Sequence, residues 1–352
     1  MGASVRDHEI VIQRLLDDGA KVDAIDKNGI TALMYASVRG HDDVIQRLLD
    51  GGAKVDAIDN NGITALIRAS VQGHDVVIQR LLDGGAKVDA IDNNGITALM
   101  YASVQGHDVV IQRLLDGGAE VDAIDENGIT ALIRASAQGH DVVIQRLLDG
   151  GAKIDAIDNN GMTALMYASV QGHDVVIQRL LDGGAKIDAA DVDGWTALMH
   201  ASVQGHDVVI QRLLDGGANV NAIDNNGITA LIRASVQGHD VVIQRLLDGG
   251  ANVNAIDNNG ITALIRASAQ GHDVVIQRLL DGGAKVDAID NNGITALMYA
   301  SVQGHDVVIQ RLLDGGAKVD AIDNNGITAL IRASVFGQDT ITKLLQDKGA
   351  KR

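Results

Sequence analysis

Residues 59 to 91 read DNNGITALIRASVQGHDVVIQRLLDGGAKVDAI, and the same stretch returns with small changes every 33 residues. Its opening aspartates are Asp26, Asp59, Asp92, Asp125, Asp158, Asp191, Asp224, Asp257, Asp290 and Asp323. A fixed period of this length marks a stack of small units, each needing its neighbours to bury its apolar face. Residues 1–25 form a truncated leading unit, 26–322 hold nine full repeats, and 323–352 form a last, capping repeat. No linker or change of composition interrupts them, so a single repeat domain spanning 1–352 is expected.

Within the unit, Asp59-Asn60-Asn61-Gly62 is turn chemistry, because Asn and Asp tolerate tight turns and Gly permits positive φ. The Thr64 hydroxyl can cap a following helix. The pattern predicts a short first helix over Ala65–Gln72, ended by Gly73. His74-Asp75 opens a second helix, where the carboxylate favours the positive helix end. Val76, Val77, Ile78, Leu81 and Leu82 give that helix its apolar residues. Gly84-Gly85 stops it, and Lys87–Ile91 is extended. Helices below about 12 residues are marginal alone, so stacking is obligatory.

Asp59…Gly62-x-Thr64-x-Leu66, Ala69, Gly73-His74, Val76-Val77, Leu81-Leu82 and Gly85-Ala86 together resemble the ankyrin repeat. The resemblance covers nearly the whole chain. It implies an all-α solenoid of helix-turn-helix repeats with turn fingers. It also implies a non-enzymatic scaffold that binds a protein partner on its concave face. Thr64-Ala65-Leu66-Ile67 departs from the family's Thr-Pro-Leu-His. The change removes a preset φ at the first helical position and a polar partner for Thr64, without touching the layer packing.

Composition narrows the function classes. The chain has no cysteine, which excludes disulfides, thiolate chemistry and cysteine-based zinc sites. No apolar run approaches the roughly 18 residues of a membrane span, and the start MGASVR has no signal core. A cytoplasmic monomer without cofactor or metal is expected, with a contact through the N-terminal end as a further expectation. The net charge of −17 disfavours nucleic acid and favours basic partners. No nucleophile–base pair or phosphate loop is present, and groups repeated once per layer do not converge as catalysis requires.

Differences between copies locate the candidate site. The resemblance places partner contacts at the turn tips and the exposed face of the first helix, here the Asn60, Asn61, Ile63, Val71, Gln72 and Ile91 positions. Helical spacing adds Arg68. That position reads Tyr35, Arg68, Tyr101, Arg134, Tyr167, His200, Arg233, Arg266, Tyr299 and Arg332. With layers about 10 Å apart, an arginine is expected to stack on a neighbouring tyrosine. The Asp191 unit departs most: Trp195, the only tryptophan, takes the Ile63 position, while Val192 and Asp193 replace the two asparagines. The expected partner surface is Trp195, Val192, Asp193, Tyr167, His200, Arg233, Arg266, Gln171 and Gln204. A partner responding to His200 protonation near its ordinary pKa of about 6.5 is part of that expectation.

The remaining features read as structural. Ten of the eleven histidines occupy the His74 position, one per layer, where they serve the loop between helices. Asp188, Asp191 and Asp193 do not match an EF-hand. Lys87 and Asp89, which change together to Asn219/Asn221 and Asn252/Asn254, suggest a weak exposed pair within one repeat. Thr340, Thr342 and Gln346 replace apolar residues in the last unit and read as a cap. The near-identity of the copies leaves a second reading, a purely structural consensus or designed array with no natural ligand.

Overall fold

The computed structural model describes residues 5–351. Among them are twenty-one helices and no extended strand. A leading helix, Val5–Asp17, is followed by ten helix pairs, of which Ala65–Gln72 with Asp75–Asp83 is representative. The all-α repeat fold and the helix bounds agree with the sequence reading. The array divides into two compact units, one of Met1–Ala168 with Gln178–Ala185, the other of Ser169–Ile177 with Lys186–Arg352.

Local chemistry accounts for each boundary. Thr64 Oγ1 accepts from the Ile67 N–H at 3.2 Å, so the cap forms without the family's usual histidine. Gly73 closes the first helix in the left-handed region at φ 78°. A Cβ there would also meet the His107 ring of the next repeat at 2.8 Å. That histidine reaches the Val71 carbonyl through Nε2 at 3.1 Å. A carbonyl only accepts, so Nε2 carries the proton. The histidines therefore do more than serve their own loop: His74, His107, His140, His206, His239, His272 and His305 each tie one layer to the layer before. In the last unit Gln338 makes the same bond to the Val302 carbonyl, at 3.1 Å.

The core is thin and continuous within each unit. Leu66, Ile67, Ala69, Val77, Ile78 and Leu81 are buried, and their equivalents repeat this in every internal layer. Small residues at Ala65 and Ala69 let successive first helices approach closely. Val76 corrects the sequence reading, because it is 49% exposed and faces solvent. The second helix instead spends its outer face on ion pairs between layers. Arg80 reaches Asp42 at 2.9 Å, and Arg113 reaches Asp75 at 2.8 Å. These partly exposed pairs contribute about 0–1 kcal/mol each.

The Lys87/Asp89 pairing is also corrected. Asp56 Oδ1 accepts from the Lys87 backbone N–H at 2.9 Å, so each Asp caps the following repeat and not its own. Asn221 takes over this role for Asn252 at 2.7 Å, and its amide adds a bond to the Gly250 carbonyl. Isolated antiparallel bridges, such as Ile91 with Thr97, hold the fingers.

The two ends differ. Val5–Asp17 runs as one helix of 13 residues, where other repeats break between two. Asp7 stands at the position that Gly40 fills at φ 71° in the next repeat, and a left-handed break disfavours any residue but glycine. Among the described residues no separate first helix precedes the Asp26 repeat, and Ala32 is exposed where Ala65 is buried. At the other end Ile341 and Leu345 are buried, while Gln346 is exposed.

Candidate functional site

The site is built on a hydrogen-bonded aspartate at the start of each repeat. Asp59 is buried, and its Oδ1 accepts from the N–H groups of Asn61 at 2.8 Å and Ile63 at 3.0 Å. Its Oδ2 is paired with the Arg68 guanidinium. Asp125 with Arg134, Asp224 with Arg233, and Asp323 with Arg332 repeat the pair. Arg266 meets Asp257 at 2.8 Å. In tyrosine repeats the phenol donates to the same oxygen: Tyr101 to Asp92 at 2.7 Å, Tyr167 to Asp158 at 2.8 Å and Tyr299 to Asp290 at 2.8 Å.

These bonds correct the expected stacking of arginine on tyrosine. Each Arg or Tyr turns to the aspartate nine residues earlier, because a buried carboxylate demands a partner more strongly than an exposed ring does. The nine-residue spacing was visible in every copy and was the signal that pattern reading missed.

In the Asp191 unit the same frame carries different side chains. Asp191 Oδ1 accepts from the N–H of Trp195 at 2.8 Å and of Asp193 at 3.0 Å. His200 Nε2 lies 3.1 Å from Asp191 Oδ2. The Trp195 and His200 rings are 5.1 Å apart and tilted by 40°. Arg233, from the following repeat, lays its guanidinium over the indole with 3.4 Å to the ring centroid. Trp195 is thus half-buried beside the turn and outside the apolar core. Val192 is 63% exposed, and Asp193 is exposed beside it.

The structure therefore joins Trp195, His200 and Arg233 into one stack in the second unit, with Val192 and Asp193 at its rim. Arg266 is committed to Asp257 one layer on. Gln171 and Gln204 are exposed at the ends of Ala164–Gln171 and Ala197–Gln204. Tyr167 belongs to the first unit. Burial pushes His200 below its ordinary pKa, against the opposing pull of Asp191. The expected response to acid therefore moves to lower pH. Asp188 Oδ1 accepts from the Asn219 N–H at 2.9 Å, which commits that carboxylate as well.

A family model described as "Ankyrin repeats (3 copies)" matches overlapping segments from residues 1–92 through 264–351. The chain belongs to the ankyrin repeat family. No curated protein matches it individually. Ankyrin repeats generally serve as protein–protein interaction modules, and the family is generally non-enzymatic. Among the described residues no helix of this ankyrin array is long and apolar enough to cross a membrane. No group of three or more His, Cys, Asp or Glu among them is placed to hold a metal ion.

The tyrosine–aspartate bonds predict an alkaline limit. Burial first, and then the bond to its aspartate, pushes Tyr101 and Tyr167 up to about 12. A raised folded-state pKa means that the stabilisation is complete below the ordinary value of about 10 and is lost as pH climbs toward the raised value. Tyrosinate absorbance followed together with helical circular dichroism should show these phenols ionising late, as the helices melt. Full ionisation near the ordinary value with the helices intact would count against the bonds.

Proposed function

We propose that this ankyrin array is a non-enzymatic scaffold that binds a protein partner, with Trp195 at the centre of the contact. The observation that carries this reading is the Arg233–Trp195–His200 stack rimmed by exposed Val192 and Asp193. It holds a large aromatic surface rigid before binding, which lowers the entropic cost of association. Tryptophan and arginine are also over-represented among residues whose truncation weakens binding most. Gln204, Arg266 and Gln171 extend the proposed surface to other layers of the second unit.

The test is affinity capture from a lysate, comparing the parent chain with Trp195→Ala and with a chain whose Asp191 unit is reset to the common repeat. Trp195→Ala should weaken binding of the captured partner by about 2 kcal/mol or more with the helical signal unchanged. Equal binding by parent and variant would remove Trp195 from the contact. The pairing of Arg68, Tyr101, Arg134 and Tyr167 with the aspartates of their own repeats favours the second reading, a structural array without a ligand. That reading expects no partner that distinguishes parent from reset chain.

A further inference from the structure

The alternation of tyrosine and arginine along the first unit sets a charge pattern. Asp26, Asp59, Asp92 and Asp125 open its four full repeats, and Asp158 opens a fifth of which it holds part. Arg68 and Arg134 neutralise two of these carboxylates. Tyr35, Tyr101 and Tyr167 give the other three a hydrogen bond and no charge. Every second layer therefore has a carboxylate bonded by a phenol hydroxyl with no guanidinium bonded to it. Tyr35 is 48% exposed, and Tyr101 and Tyr167 are half-buried.

We propose that the row Tyr35, Tyr101 and Tyr167 is a docking surface for an extended, basic segment of a partner protein, whose Lys or Arg side chains lie over alternate phenol rings. Charge complementarity is the first argument. Five carboxylates face two guanidinium groups in this row, in a chain of net charge −17. A cation placed over a phenol gains the attraction of the ring face and of the carboxylate bonded to its hydroxyl.

The second unit shows that a guanidinium can lie over an aromatic ring on this frame, although its ring, Trp195, stands at the turn position and not at the tyrosine position. There Asp191 is bonded to His200, and an arginine of the next layer, itself paired with Asp224, comes over the neighbouring aromatic ring: Arg233 over Trp195 at 3.4 Å. In the first unit Arg68 and Arg134 likewise pair with Asp59 and Asp125, and the aspartates of the tyrosine layers are bonded by neutral phenols.

Spacing defines the partner further. Layers about 10 Å apart put alternate tyrosines roughly 20 Å apart. An extended chain rising about 3.3 Å per residue covers that distance in about six residues. The segment therefore carries cations at about that interval. This surface lies in the first unit and does not depend on the Trp195 contact proposed for the second.

The experiment uses the full chain and a fluorescein-labelled Gly/Ser peptide with three lysines about six residues apart. A control peptide of the same composition has its lysines clustered. Anisotropy at low salt should show the spaced peptide binding at least about fivefold tighter than the clustered one, since only it can place every cation over a ring. Converting Tyr35, Tyr101 and Tyr167 together to Arg should lower affinity for the spaced peptide about tenfold, through lost ring contacts and added repulsion. This variant keeps its fold, because arginine already fills the same position in Arg68 and Arg134 layers. A bulk-charge control, Val76→Lys with Val109→Lys and Val142→Lys, adds the same charge at exposed second-helix positions and should lower affinity much less. Equal binding of the two peptides, or equal loss in both variants, would show attraction to net charge alone and overturn the proposal.

Discussion

Asp224→Ala should destabilise the second unit by about 3–5 kcal/mol, the cost of breaking a buried ion pair from one side. The carboxylate side chain is fully buried, and Arg233 retains 16% exposure. Removing it leaves that guanidinium without its counter-charge. It also leaves the N–H groups of Asn226 and Ile228, now held at 2.8 and 2.9 Å, without their acceptor. In a solenoid a weakened layer interrupts coupling along the stack, so unfolding should begin there. Trp195, the only tryptophan, lies under Arg233 and reports on this layer by fluorescence. Asp224→Asn keeps an oxygen for the two N–H groups and should cost less. A urea midpoint for Asp224→Ala equal to the parent's would refute the assigned role.

Leu114→Ala should cost about 2–5 kcal/mol, the range for emptying a packed aliphatic site, while Val109→Ala should stay within about 1 kcal/mol. The two residues share the helix Asp108–Asp116. Leu114 is fully buried between layers, and Val109 is 49% exposed. A layer of two short helices has no deeper core to absorb the cavity, so the upper part of the range applies. Paired urea titrations of the two variants give the difference directly. Similar losses for both would mean that the second helix buries its outer valine, contrary to the structure.

The tyrosine–aspartate frame, the Asp224 pair and the Leu114 layer are aspects of one design. The repeat-opening aspartates are bonded inside their own repeat, the second-helix arginines pair with a neighbouring one, and the buried apolar groups are covered by the layers on either side. Substitutions that respect this frame, such as Tyr for Arg over the aspartate, are present already among the copies. Substitutions that remove the aspartate are absent from all ten positions. The Trp195 stack is the one place where the described frame carries a large aromatic and an arginine in face contact.

The sequence by itself determined the repeat, its two helices, the Thr64 cap and the Gly73 stop, because all of these depend on residues within a few positions of one another. The Asp191 unit was likewise legible as the copy that differs. Contacts between layers were decided by the tertiary structure. The bond from His107 to the Val71 carbonyl, the cap from Asp56 to Lys87 and the pair from Arg113 to Asp75 join residues 36, 31 and 38 positions apart. Reading one repeat in isolation assigns such groups to their own turn, as it did for Lys87 and Asp89. The fate of Arg68 was decided the same way. Helical spacing put it on an exposed face, but folding of the turn buries Asp59 beside it, and the unsolvated carboxylate draws the guanidinium inward. Trp195 shows both contributions: its position at the turn edge follows from the repeat, whereas its cover by Arg233 exists only once the next layer has packed.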